Sequence, residues 1–343
     1  MMNRNRIPYI FIFCIFLLLA SCHSGEKKES NRIPGKDSAA IALKELNKQI
    51  AADSANPDLF NQRAILYLHT HEVDLALKDI HKALQLDPEK AAYYLTIADI
   101  YLFTGKPDNS EDALNKAIKL EPENLDALLK MAKLQLIMKK YKEMDKTIER
   151  CLEVDKINPG AYYLSGLEGL EKGDTAKAVQ DFRLSVDQDQ KQVNAFIELG
   201  NIFAARHDPM AGDYFNNALK IQPSRVDVLY MLGMFYQEEG LFDQAITTYK
   251  RIIRIDSLYR DAWYNQGYIQ MVYLKNYPEA IKLFSTAIDA DSKYVKAWYN
   301  RGLAYELSGN SEKAKADYKQ SLKLETNFPL AIDGLNRLDK KSH

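Results

Sequence analysis

The sequence predicts an all-α fold, a superhelical solenoid of about eight helix-turn-helix repeats with a capping helix at each end. Three observations predict it. First, one pattern occurs twice between Arg260 and Thr326, at a spacing of 35 residues. Ala262-Trp263-Tyr264-Asn265-Gln266-Gly267 answers to Ala297-Trp298-Tyr299-Asn300-Arg301-Gly302. Second, the apolar positions keep helical spacing. Trp298, Gly302 and Tyr305 fall at i, i+4, i+7, and Ala314, Tyr318, Ser321 and Leu322 at i, i+4, i+7, i+8, each set lying on one face of a helix. Third, Gly309 stands between the two sets, where a helix end favours a left-handed residue.

This unit resembles the tetratricopeptide repeat. That family shows an aromatic, a Gly or Ala four residues on, an aromatic three further, then Ala, aromatic and Ala in a second helix. The small residue lets the two helices of a repeat approach, and the large ones fill the space to the next repeat.

The totals agree with an ordered helical chain. Of 343 residues 46% are hydrophobic, with 15 Gly and 11 Pro, and a solenoid of this length counts repeats instead of cores. The formal net charge of −1 offers no basic stripe for nucleic acid. Cys14 and Cys22 belong to the leader and its end, which leaves Cys151 alone in the folded part and excludes an internal disulfide.

Residues 1–21 read as a lipoprotein signal peptide. Arg4 and Arg6 give a basic start, and Ile7 to Leu19 is an apolar run interrupted only by Pro8, too short for a comfortable membrane span. Leu19-Ala20-Ser21-Cys22 resembles the bacterial lipobox, which implies cleavage before Cys22 and a lipid on that residue. Loss of Arg4 and Arg6 takes the net charge from −1 to −3. Residues 22–37 are polar, with a Pro34-Gly35 turn signal, and form a flexible tether with a reach of roughly 20 Å.

Residues 38–56 hold an N-terminal capping helix, with Ala42, Leu46 and Ile50 on one face. Eight repeats follow over 57–328. The first carries Phe60, Ala64, Tyr67, Ala76, Ile80 and Ala83, and the second Tyr94, Ala98, Tyr101, Leu114 and Ala117. The third is divergent, with Gln135 and Met144 at positions that are elsewhere tighter and Cys151 where Ala is usual. The fourth carries Tyr162, Gly166, Ala178, Phe182 and Ser185, the fifth Phe196, Gly200, Phe203, Ala211, Phe215 and Ala218, and the sixth Leu229, Gly233, Tyr236, Ala245 and Tyr249. The fifth is one residue short near Arg206-His207-Asp208-Pro209, and the seventh one residue long near Tyr277-Pro278. Stacked helices demand that such changes fall in turns. Residues 329–343 supply a C-terminal capping helix and tail, because a terminal repeat with an apolar outer face would aggregate.

Chemistry is sparse. There is no phosphate loop and no zinc spacing, so no cofactor, metal or catalytic residue is expected. Gly166-Leu167-Glu168-Gly169 with Gly173 falls inside a helix and at its end, with no strand before it. His69 and His71 are two apart and do not share a helical face. Cys151 takes a small-residue packing position, where a Cys behaves as a small hydrophobe.

The family resemblance implies that first helices line a concave groove. Its ligand-contacting positions correspond to Tyr163, Glu198, Asn201, Tyr230, Met231, Met234, Tyr264, Asn265, Tyr268, Tyr299 and Asn300. Tyr and Met are interface-rich residue types, and the two Asn offer both donor and acceptor to an extended backbone. The Lys-Asn-Arg clamp of chaperone-binding members is absent: its Lys position holds Asn61, Leu95, Leu129, Tyr163, Ile197, Tyr230, Tyr264 and Tyr299. The expectation is a non-catalytic scaffold or adaptor lipid-anchored in the bacterial envelope, at the outer membrane, holding a protein partner's extended peptide. The alternative is a carbohydrate-binding or enzyme-accessory lipoprotein that uses the Tyr-lined groove.

Overall fold

The computed structural model describes residues 36–341. The expected signal peptide, Cys22 and all but the last two residues of the expected tether lie outside them. Those two residues already belong to a helix, α1, Lys36–Ala52. Among the described residues there are 18 helices, and sixteen of them form eight consecutive pairs. The pairs are Pro57–His69 with Val73–Leu86 (α2, α3), Ala91–Phe103 with Pro107–Leu120 (α4, α5), Leu125–Ile137 with Tyr141–Val154 (α6, α7) and Pro159–Glu171 with Thr175–Gln188 (α8, α9). Then come Val193–Ala204 with Met210–Ile221 (α10, α11), Val226–Glu238 with Phe242–Ile255 (α12, α13), Arg260–Val272 with Tyr277–Ala290 (α14, α15) and Val295–Leu307 with Ser311–Leu324 (α16, α17). α18, Pro329–Lys341, follows the last pair.

The short turn inside each pair needs one left-handed residue. Gly105, Gly173, Gly240 and Gly309 supply it in four pairs, with φ of 70°, 77°, 74° and 85°. In the alternate pairs His71, Lys139, His207 and Lys275 take the same place, with φ of 64°, 57°, 55° and 54°. A side chain there costs about 1 kcal/mol or more. The left-handed residue keeps its place when repeat length changes. From His207 to Ala211 the chain is one residue shorter than from His71 to Ala76, so the deletion of the fifth repeat lies between them. The extra residue of the seventh lies in the Tyr273-Leu274-Lys275-Asn276 link, just before α15.

In four of the repeats the first turn of the first helix is fixed by an aromatic donor that reaches six residues back. Tyr94 and Tyr162 hydroxyls donate to the Pro88 and Lys156 carbonyls, and the Trp263 and Trp298 indoles to those of Ser257 and Ser292, all at 2.9 Å. Each bond satisfies a carbonyl of the turn that enters the repeat.

The chain divides into two compact units, one ending at Glu168 and one beginning at Gly169. In the first, one continuous core joins Phe60, Ala64, Ile80, Ala83, Tyr93, Ala98, Ile100, Leu114, Ala117 and Leu134. Tyr93 is fully buried, and its hydroxyl donates to Asp58 Oδ1 at 2.6 Å. Met144 and Cys151 are also fully buried, so the third repeat accommodates its large residue. Gln135 is 7% exposed, and its Oε1 has no hydrogen-bond partner among the described residues.

In the second unit the packing position of the first helix is Gly. A Cβ on Gly200 would stand 2.6 Å from the Phe215 ring, on Gly233 2.6 Å from Tyr249, on Gly267 2.9 Å from Phe284, and on Gly302 2.9 Å from Tyr318. These rings are buried. In the first unit the same positions pair Ala64 with Ile80 and Ala98 with Leu114. Repeats therefore come in two matched kinds, Ala with an aliphatic side chain and Gly with a ring, and each fills the helix–helix space. Gly334 of α18 also lies against Tyr318, at 2.6 Å for an added Cβ, which seats the cap on the last pair.

Candidate partner-binding face

The predicted groove residues all lie on first helices. Tyr163 is half-buried on α8. Glu198 and Asn201 are half-buried on α10, one helical turn apart. Burial raises the pKa of the Glu198 carboxyl above the ordinary value, and the neighbouring Asn201 amide offsets part of that rise. Tyr230, Met231 and Met234 are half-buried on α12, Tyr264 and Tyr268 on α14, and Tyr299 on α16.

Asn265 and Asn300 require a correction. They are 7% and 6% exposed, and their amides are engaged between repeats. Asn300 Nδ2 donates to the Tyr264 hydroxyl at 2.7 Å. Asn265 Nδ2 lies 3.5 Å from the Tyr230 hydroxyl, 3.3 Å from that of Tyr249 and 3.4 Å from Met234 Sδ. A buried amide without partners would cost a few kcal/mol, and these Tyr hydroxyls meet that need. Gly334 of α18 follows Asn300 at the interval of one repeat, and near Tyr299 the place of the amide is taken by Arg337, whose charge partly offsets the rise of the phenol's pKa. Arg337 is held in turn by Glu306, at 3.0 Å between Nη2 and Oε2.

The result is a ladder. In two successive repeats a first-helix Tyr accepts a hydrogen bond from the following helix of the same layer, and in the next Arg337 of α18 stands near Tyr299. The ring of each also rests on an aromatic at the entry to the next helix. Tyr230 lies 5.9 Å from Tyr259, Tyr264 5.1 Å from Tyr294, and Tyr299 5.5 Å from Phe328. Tyr268 adds a ring 6.4 Å from Tyr264. Burial raises the pKa of Tyr230, Tyr264, Tyr268 and Tyr299, so these phenols stay neutral and keep their protons.

Tyr259, Tyr294 and Phe328 are absent from the sequence-based set. Their signal is present: each stands one residue before a first-layer helix, at the interval of the repeat. Alignment of helices alone passes over them because they belong to turns.

The other candidates have structural roles. His71 is the left-handed turn residue, with its ring stacked 5.4 Å from Phe103. Among the described residues no group of three or more His, Cys, Asp or Glu is placed to hold a metal. The Cys151 thiol is buried, and burial pushes its pKa up to about 12. Gly166 and Gly169 lie within α8, and Gly173 is the left-handed residue after it.

Comparison with known proteins finds five family matches, four of which keep these repeat boundaries. A family model described as "Tetratricopeptide repeat" matches residues 91–124, 125–158 and 226–257, and another of that description matches 295–328. A third, "TPR repeat", matches 272–309. Anaphase-promoting complex subunit 3 of Schizosaccharomyces pombe is 26% identical over 113 residues, which is 32% of this chain and 17% of that protein. The chain thus spans less than a fifth of that relative. The C-terminal part of a TPR repeat-containing protein from Cytophaga hutchinsonii superposes with a TM-score of 0.61 at 18% identity, over 70% of this chain and 98% of that one. The MamA protein aligns with a TM-score of 0.46 at 22% identity, over 49% of this chain and 92% of that one. Helices that pair in this way, with tetratricopeptide-repeat models matching the second, third, sixth and eighth pairs, show that the chain folds as tetratricopeptide helix-turn-helix repeats.

Proposed function

We propose that the protein is a non-catalytic adaptor of the bacterial envelope, held there by lipid on Cys22, that binds an extended segment of a protein partner on its first-helix face. Tetratricopeptide repeats mediate protein–protein interactions. The observation that carries the finer reading is the distribution of half-buried aromatics, one pair per repeat over three repeats. Rings gathered around one pocket would suit a sugar. Rings spread along a row support a linear ligand that crosses several repeats. Met231 and Met234 beside them provide a surface that adapts to shape.

The test is a double change, Met231→Ala with Tyr268→Ala, against Lys282→Ala on the second-helix layer. Circular dichroism first establishes that each variant folds. Recovery of crosslinked partners from intact envelopes then compares them. The first variant is expected to lose partners that wild type and Lys282→Ala retain. Equal recovery would move the interaction off this face. The affinity should change little between low and high salt, because the face is aromatic and screening weakens charge pairs far more than apolar contacts.

A further inference from the structure

We propose that the segment held on this face is a proline-rich stretch in the polyproline II conformation. This rests on the adaptor reading above and adds the chemistry of the ligand. Two independent features of the ladder lead to it.

The first is hydrogen-bond polarity. Asn300 donates to Tyr264, and Asn265 approaches Tyr230 as a donor. Asn Nδ2 has only protons to give, so both phenol oxygens act as acceptors there. Each phenol retains its own proton. For Tyr264 and Tyr230 no acceptor for that proton occurs among the described residues. The face therefore presents two donors one repeat apart, each fixed in place by a buried amide. A ligand that suits such a pair offers carbonyls and asks for no acceptors in return. A proline-rich backbone does this, because Pro has a carbonyl and no N–H. A helical ligand would have its carbonyls already engaged.

The second feature is period. The direct bond between Tyr264 on α14 and Asn300 on α16 places neighbouring first helices in contact, about 8–10 Å apart. Polyproline II repeats its face every three residues, at about 3.1 Å per residue, or about 9 Å. Every third residue can then rest on one aromatic pair: Tyr230 with Tyr259, Tyr264 with Tyr294, Tyr299 with Phe328. A β-strand repeats its face about every 6.7 Å and falls out of step after one repeat. The pyrrolidine ring is flat, apolar and already ordered, so little conformational entropy is lost when it stacks on the row.

The experiment uses the full chain in detergent micelles, with N-acetyl decaproline amide as the probe and a Pro-free peptide of Gly, Ser and Ala as its control. Binding is measured by titration calorimetry. Decaproline should bind saturably and the control peptide should not. Tyr264→Phe keeps the ring and removes the donor, so its affinity should fall about five-fold, the value of one hydrogen bond. Tyr230→Phe should behave alike, and Tyr67→Phe in the first repeat should leave binding unchanged. Absence of saturable decaproline binding overturns the proposal, as does equal affinity in the wild type and Tyr264→Phe. If decaproline fails while Met231→Ala with Tyr268→Ala still loses envelope partners, the polyproline ligand is wrong and the adaptor face stands.

Discussion

Substitution of Gly200 by Ala tests the matched packing most directly. The new Cβ would stand 2.6 Å from Cδ1 and Cε1 of Phe215 and 3.0 Å from Cζ. Phe215 is 1% exposed, so its ring has no free space into which to turn. Overpacking of this kind costs about 1–3 kcal/mol. Ala improves helix propensity over Gly by about 1 kcal/mol, which leaves a net loss of about 0–2 kcal/mol. Phe215→Leu alone removes part of a buried ring and should cost about 1–2 kcal/mol through the void it leaves. The double change recreates the Ala98 and Leu114 pairing found in the second repeat. It should therefore be no less stable than Phe215→Leu, with a coupling energy of about 1–2 kcal/mol in the stabilising direction. The assay is native-state hydrogen exchange of the α10 and α11 amides, which reports the local opening of one repeat in a solenoid. Additive single effects, with coupling below about 0.5 kcal/mol, would refute the size-matching argument.

Other outcomes follow from individual residues. Amides of α6 and α7 should exchange faster than those of the fifth to eighth repeats, because Gln135 Oε1 is buried without a hydrogen-bond partner among the described residues; equal protection would count against this. Lys139→Gly should stabilise the third repeat by up to about 1 kcal/mol in the same measurement, since its φ is 57°. Glu198→Gln should raise stability at neutral pH and have no effect in strong acid. The sign follows from the raised carboxyl pKa: both states are protonated at low pH, and the penalty grows as pH rises from the unfolded value to the folded one. Thermal melts of both forms at pH 3 and pH 7 would show it. Cys22→Ser should leave the chain without lipid, which mass spectrometry of the detergent-extracted protein would detect.

The helical period and the repeat register were legible because they depend on neighbours three to eight residues apart. Gly309 announced its turn because few residue types adopt a left-handed backbone readily. His71, Lys139, His207 and Lys275 did not, since a side chain in that region is unusual and only the tertiary pairing of the helices enforces it. Cys151 showed its packing role by occupying an Ala position. The positions of Asn265 and Asn300 were also visible, but their direction was not. Their bonds reach Tyr residues 35 and 36 positions earlier, and such through-space partners leave no local pattern. The aromatic pairs escaped for the same reason, since one member of each lies in a turn.

The two kinds of packing also constrain how such a chain could be recombined. A first helix with Ala64 joined to a second helix with Tyr318 would collide, because Tyr318 needs the absent Cβ of Gly302. The converse hybrid, a glycine helix against Ile80, would leave a hole. Crossovers within a pair are therefore disfavoured, and those in the turns between pairs preserve both partners. The indivisible module is the helix pair together with its matched small and large residues. A library that shuffles these eight repeats should cut at 90/91, 124/125, 225/226 or 294/295 and leave the left-handed turns intact.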